Sequence, residues 1–337
     1  MIKLVLRIGL ILALLCAVTL GSAYGGLYYW FHHGGQLSNL EQPTLFEVPR
    51  GSHARRLAVV LHEQGFLEQP QLFAWSLRLF HRGETIQAGV YELRPNEHLV
   101  DLWGRFHRGE QHLFSITFVE GTEFRQWQQQ LAVHPYVRSG LAAEEPAELM
   151  AQLGSEFTHP EGLLFPDTYR FYAGTSDLQL YRQAYQRMQR VVTELWSQRD
   201  RSVPLTDWYQ ALILASIVEK ETGAEHERDL VASVFVNRLH TGMRLQSDPT
   251  IIYGLGERYR GVIYRSDIRE HTPYNTYRID GLPPTPIAMP GRAAIAATLM
   301  PASSEYFYFV SRNDGTHVFS RTLEEHNRAV NRYQRNR

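Results

Sequence analysis

The chain holds one cysteine, Cys16, and that residue lies inside an apolar N-terminal run. The folded remainder can therefore form no disulfide and no cysteine-ligated metal site. An excess of charge is missing too: 34 Lys and Arg stand against 35 Asp and Glu, a formal net charge of -1 with no long run of one sign. Phosphate binding needs a clustered positive excess, so nucleic acid is not a partner this composition supports. The histidines include no pair at His-Glu-x-x-His spacing, because His62-Glu63 runs on into Gly65 and Phe66. There is no Gly-x-Ser-x-Gly elbow and no phosphate loop, and Gly254-Leu-Gly256 lacks the third glycine of a dinucleotide fingerprint. Ser216 precedes Ile-Val-Glu-Lys, so the Ser-x-x-Lys pattern is absent as well. Neither a metal nor an organic cofactor is called for.

What is present begins with one long hydrophobic run. Lys3 and Arg7 precede an uncharged stretch from Ile8 to Phe31, longer than the about 20 residues that cross a bilayer. Basic residues on the leading side predict residues 1–7 in the cytoplasm and a span over 8–31, with Tyr28, Tyr29 and Trp30 at the far interface. The rest would then lie outside the inner membrane, in the periplasm. The alternative is a cleaved signal peptide with Gly21-Ser22-Ala23 as its processing site. Hydrophobicity that continues through the aromatic cluster favours a retained anchor. A lipoprotein is excluded by Leu14-Leu15, which stand where a lipidation signal wants a small residue before Cys16.

Residues 32–44, with Gly34, Gly35 and Pro43, read as a polar linker. A first unit over 45–112 starts with the strand Leu45-Phe-Glu-Val48 and a turn at Pro49-Arg50-Gly51, with Ser52 as the expected cap of a helix carrying Leu57, Val60 and Leu61. A helix from Gln71 to His81 turns Phe73, Leu77 and Phe80 inward, and Gly89-Val-Tyr-Glu-Leu93 returns as a strand. This strand–helix–helix–strand order resembles a LysM module, a small fold that grips N-acetylated sugars. Asn96 is the expected cap of a further helix bearing Leu99, Leu102, Trp103 and Phe106. Phe118-Val-Glu-Gly121 leading to Leu131 repeats the layout of Val48-Pro-Arg-Gly51 through Leu61, and two independent strand-to-helix turns explain it as well as duplication does.

A connecting subdomain over 113–160 includes a helix from Pro146 to Leu153. The region 161–337 opens with Glu161-Gly and continues with helical spacing from Ser176 to Gln198, then an apolar helix ending in carboxylates, then a helix from Arg228 to Leu239 stopped by Gly242. Tyr306–Val310 and Thr316–Phe319 flank Asp314-Gly315 as a β-hairpin, and Thr322 with Glu325 forms a capping box. The predicted class is α+β: an N-terminal transmembrane helix, a small LysM-like module and a mainly helical catalytic domain with a C-terminal β-hairpin.

The carboxylates end the helix Leu214-Ala-Ser-Ile-Val-Glu219-Lys-Glu221, and Glu225, Glu227 and Arg228 follow. Glu221 extends the stripe of Leu214, Ile217 and Val218, whereas Glu219 points to roughly the opposite side. A Glu drawn into an apolar setting has a raised pKa and can serve as acid and then base near neutrality. Glu225 is a candidate neighbour for it, and Glu227 with Arg228 reads as a solvated pair or a cap. On these residues alone, a solvated helix end explains the cluster equally well. Downstream, Arg244 to Gly256 and Pro273 to Gly291 interleave tyrosines with amides and hydroxyls. A sugar chain requires such surfaces, although most tyrosines simply pack a core.

Ile217-Val-Glu-Lys-Glu-Thr222, Ala232–Leu239, Gly242-Met-Arg-Leu-Gln-Ser-Asp-Pro249, Tyr274-Asn-Thr-Tyr277 and Gly281-Leu-Pro-Pro284, in this order, resemble the endolytic murein transglycosylases, the YceG-like family. The resemblance extends to the anchor, the LysM-like unit and Glu161–Thr168, nearly the whole chain. It implies that Glu221, the second Glu of the triplet, is the catalytic acid and base, and that the substrate is the glycan strand of peptidoglycan. It also implies cleavage between N-acetylmuramic acid and N-acetylglucosamine to give 1,6-anhydro ends, with peptidoglycan synthases as neighbours. Gln246, Tyr253, Asn275 and Tyr277 are the candidates for orienting the sugar. No second carboxylate shares the face of Glu221, and the substrate's acetamido group is the candidate for the missing nucleophile. A lysozyme-like hydrolase would need a second carboxylate, for which Asp248 is the candidate. A glycan-binding scaffold would need no perturbed Glu.

Overall fold

The computed structural model describes residues 2–140 and 145–335. Two compact units divide them, one running to Phe114 with Arg170–Ala173 added, the other comprising Ser115–Tyr169 and the chain from Gly174 onward.

In the first unit, helix α1 (Ile2–Tyr29) has no buried residue and passes into a π-helical turn at Trp30–Gly34. Its 28 residues cover about 42 Å, more than the ~30 Å of a hydrocarbon core. Among the described residues it is the one helix long and apolar enough to cross a membrane. Strand β1 (Thr44–Val48), helices α2 (Ala54–Glu63) and α3 (Pro70–Phe80) and strand β2 (Gly89–Leu93) follow in the expected order. β1 and β2 pair antiparallel from Thr44↔Leu93 to Val48↔Gly89. Phe46 and Val48 alternate inward with period two and meet Leu57, Leu61, Phe73 and Leu77 in one core. Helix α4 (Leu99–Arg108) completes that core with Leu99, Leu102, Trp103 and Phe106.

Three local expectations fail here. Ser52 does not cap α2: its hydroxyl donates to the Pro49 carbonyl at 2.7 Å, and His53 Nδ1 accepts from the Arg56 amide instead. Asn96 sits in a turn at φ +58°, and His98 is the residue before α4. Residues 32–44 are not a free linker, because Leu37 is buried in the core beside Phe31 and its amide bonds to the Glu97 carbonyl at 3.0 Å. Isolated apolar residues in a polar stretch carry no periodicity, so their docking leaves no pattern to read.

In the second unit, β3 (Phe114–Thr117), which starts at the boundary, precedes α5 (Phe124–Ala132), β4 (Val137–Arg138), α6 (Pro146–Gln152), β5 (Thr168–Phe171), whose last two residues belong to the first unit, β6 (Thr175–Ser176) and α7 (Asp177–Ser197). Residues 115–140 and 145–160, expected as a connecting subdomain, fall within this unit together with the region that follows. Gly51 and Gly121 both take φ near +70° (72 and 74) between a strand and a helix, a conformation that favours glycine and accounts for the repeated layout.

Helix α8 (Trp208–Glu221) is the centre of the unit. Every residue from Ala211 to Val218 is buried, and α7, α9 (Arg228–His240) and α12 (Arg292–Leu299) pack around it. Alanines at 294 and 297 let α12 approach closely. Each buried Leu, Ile or Val contributes about 1.5–3 kcal/mol, whereas the Asp207 cap, accepting from the Gln210 amide at 2.9 Å, contributes about 1 kcal/mol. Packing, not capping, therefore fixes the position of Glu221. Between α9 and α12 lie α10 (Asp248–Leu255) and α11 (Arg265–Arg269). The hairpin of β7 (Tyr308–Ser311) and β8 (His317–Ser320) forms as expected, and α13 (Leu323–Val330) carries the Thr322–Glu325 capping box.

Candidate active site

The buried stripe of α8 ends at Glu221, because Thr222 turns to extended backbone and its hydroxyl accepts from the Ala224 amide at 3.0 Å. The residues of the Glu-Lys-Glu triplet diverge. Glu219 accepts from the Gly291 amide at 3.0 Å, at the start of α12. Lys220 Nζ donates to the Gly121 carbonyl at 3.1 Å. Glu221 alone turns toward α10, where the Ser247 hydroxyl donates to its Oε1 at 2.5 Å.

Glu221 is half-buried, walled by protein yet not closed to solvent. Loss of hydration pushes its pKa up to about 7; the Ser247 hydrogen bond opposes that rise, nearby Asp248 adds to it, and Arg238 opposes it. The group thus passes between acid and carboxylate close to neutral pH. Glu219 is also raised by burial, but its amide partner places it on the α12 side.

Ser247 is held by hydroxyls. Its amide donates to Thr276 Oγ1 at 2.9 Å, its carbonyl accepts from the Thr250 hydroxyl at 2.6 Å, and the two threonine hydroxyls are 2.8 Å apart. Arg238 is buried and spends its guanidinium on the carbonyls of Phe307 at 2.7 Å and Leu245 at 2.6 Å, so it clamps the segment leading into Gln246 and Ser247. Neither Ser247 nor Arg238 stood out as a site residue in the sequence. Ser247 lies within the Gln-Ser-Asp-Pro motif, and a hydroxyl before an Asp-Pro helix start reads as an N-cap.

The other predicted site residues have different placements. Gln246 is exposed at φ +49°, a left-handed conformation that only a constrained loop imposes on a non-glycine residue. Tyr277 donates to Asp248 Oδ1 at 2.7 Å, and Asp248 lies close enough to Glu221 for its charge to act on it. Asp248 is therefore a second carboxylate beside Glu221, contrary to the expectation from helix α8 alone, since it arrives on a different helix. Tyr253 directs its hydroxyl to Glu161 at 3.3 Å and its ring to Tyr274 at 4.9 Å. Asn275 is 1% exposed. Its amide donates to the carbonyls of Asp267, Ile268 and Glu270, and its carbonyl accepts from the Tyr277 amide. It shapes the loop that presents Tyr277 and has no free group to offer a sugar.

Three further carboxylates depart from the sequence reading. Glu227 is not solvated: it is buried and accepts from the amide and Nδ1 of His317, which ties α9 to the hairpin. Glu225 stands exposed on a separate 3₁₀ turn, because α8 has already ended. Glu161, read only as an opening residue, is 2% exposed, and burial lifts its pKa to about 8. It accepts from the Phe124 amide at 3.1 Å, at the N-terminus of α5, and from Tyr253.

A family model described as the YceG-like family matches residues 46–332. A Bacillus subtilis protein named endolytic murein transglycosylase is 30% identical over 303 residues, 85% of this chain and 83% of its own. A Streptococcus pneumoniae protein of the same name is 25% identical over 328 residues, and the match spans 87% of this chain but 59% of that longer relative. The crystal structure of a YceG-like protein from Listeria monocytogenes aligns at a TM-score of 0.53 and 26% identity, covering 86% of this chain and 100% of the other.

Proposed function

This chain belongs to the YceG-like family, and from that premise we propose that it is a membrane-anchored lytic transglycosylase that cuts peptidoglycan strands internally, between N-acetylmuramic acid and N-acetylglucosamine. The observation that carries the reading is Glu221, a carboxyl group on a rigid buried helix that holds its proton to about pH 7. In the first step Glu221 donates that proton to the oxygen leaving C1 of the muramic acid, and the substrate's acetamido oxygen takes up C1. In the second, the Glu221 carboxylate removes the proton of the C6 hydroxyl, which attacks C1, displaces the acetamido oxygen and closes the 1,6-anhydro ring. One group serves as acid and then as base.

Asp248 gives the rival hydrolase its best footing, because it stands beside Glu221. Its Oδ1 already accepts from Tyr277, which supports a role in tuning and positioning rather than in activating water. Gln246 and Tyr277 remain the proposed sugar contacts; Tyr253 and Asn275 act on the loops. The strand–helix–helix–strand module supports a LysM-like glycan role, since a groove of about 1000 Å³ opens there between Gly51–Arg55 and His81–Ile86, with Trp75 and Trp103 in its wall. Internal cutting by an enzyme fixed outside the inner membrane would limit the length of growing strands.

Glu221→Gln tests the assignment, because the amide keeps the shape and loses the proton. It should abolish release of fragments from purified sacculi while leaving the melting temperature near that of the parent. Glu219→Gln should retain clearly more activity. The reverse ranking would transfer the chemistry to Glu219.

A further inference from the structure

Helix α3 carries Leu72, Trp75 and Leu79 at i, i+3 and i+7, and they are 40%, 54% and 48% exposed. Residues so spaced form one stripe on a helix. An exposed apolar stripe names no partner by itself, but its neighbour does. Phe80, on the flank of the same helix, sets its ring edge-on against Tyr24 and Tyr28 of α1, with centroids 5.2 and 5.4 Å away. In a span that begins at Ile8, about 20 residues cross the hydrocarbon, so Tyr24 and Tyr28 lie at its outer boundary. The C-terminal end of α3 is thereby fixed at that depth. On the other border of the stripe stands exposed Arg78, whose guanidinium lies 5.8 Å from the Trp75 ring, and exposed Arg82 follows just past the end of the helix. Apolar residues bordered by an aromatic ring and cations are the composition of a helix that lies in a membrane interface.

We infer that α3 is an interfacial helix: Leu72, Trp75 and Leu79 dip into the outer leaflet of the bilayer that α1 crosses, and Arg78 and Arg82 meet the phospholipid phosphates. The inference rests on α1 being a retained span. Leu72 and Leu79 lie outside the groove between α2 and α3, whereas Trp75 and Arg78 line it. Contact with lipid would therefore hold the rim of that groove at the level of the headgroups, where a strand still tethered to the membrane would pass.

The test uses the full chain in vesicles of phosphatidylethanolamine and phosphatidylglycerol, with one spin label at a time. Labels go on the native Cys16, on Leu72→Cys or Leu79→Cys in a Cys16→Ser background, and on Glu324→Cys in the same background as an exposed reference. Accessibility to oxygen, which concentrates in lipid, is compared with accessibility to a nickel chelate confined to water. The oxygen-to-nickel ratio should be several-fold higher at positions 16, 72 and 79 than at 324. A lipid-like ratio at 16 with water-like ratios at 72 and 79 would overturn the interfacial helix and leave the anchor standing. A water-like ratio at 16 would remove the anchor and this inference with it.

Discussion

At the residue scale, one carboxyl group, that of Glu221, has two neighbours that act on it in opposite senses. The Ser247 hydroxyl donates to Glu221 and favours its charged form, while the charge of Asp248 disfavours it. In the proposed mechanism Glu221 starts the reaction protonated, so activity should fall as the pH rises through about 7. Ser247→Ala removes a stabiliser of the carboxylate and should move that alkaline limb to higher pH. Asp248→Asn removes a repelling charge and should move it to lower pH, with activity reduced but not lost. The pH dependence of kcat/KM on soluble glycan strands reads both shifts. Shifts in the same direction would mean that another group sets the limb, and total loss in Asp248→Asn would restore the hydrolase.

At the element scale, the second unit is joined by buried polar contacts between elements far apart in sequence. Glu161 bridges the start of α5 and the tyrosine of α10, and its pKa is lifted from 4.5 to about 8 by burial. Between those values the native state keeps a proton that the unfolded chain has released, so this group makes stability fall as pH rises across that window. Glu161→Gln does not titrate. Its melting temperature relative to the parent should therefore rise from about pH 5 to about pH 9, as measured by calorimetry; a constant difference would mean that Glu161 ionises normally. Such bridges also mark where the sequence stops being legible. The helical period of α7, the Thr322–Glu325 capping box and the turn at Asp314-Gly315 are local signals, and the elements they predict are present. Glu221 could be chosen over Glu219 because one helix's geometry separates them. Ser247 and Asp248 reach Glu221, and His317 reaches Glu227, only through the tertiary fold, so Glu227 looked solvated when it is buried. Ser52 and Asn96 have the residue types of caps, but neighbouring turn geometry engages them elsewhere.

At the scale of the whole molecule, the proposed anchoring by the apolar helix would set where the chemistry takes place. α1 runs unbroken through Gly21-Ser22-Ala23 and presents Tyr24 and Tyr28 to Phe80 of the first unit, an arrangement suited to a retained anchor. N-terminal sequencing of the mature protein should accordingly find the uncut terminus, and a start near Tyr24 would identify a signal peptide. An enzyme held at the membrane meets the interior of a growing strand before any free end, so it should cut internally. The most direct test of the central claim is mass spectrometry of the fragments that the full-length protein releases from purified sacculi. A single acid and base at Glu221 predicts fragments of mixed length ending in 1,6-anhydro-N-acetylmuramic acid. Reducing N-acetylmuramic ends would contradict it by showing that water, held by a second carboxylate, completes the reaction.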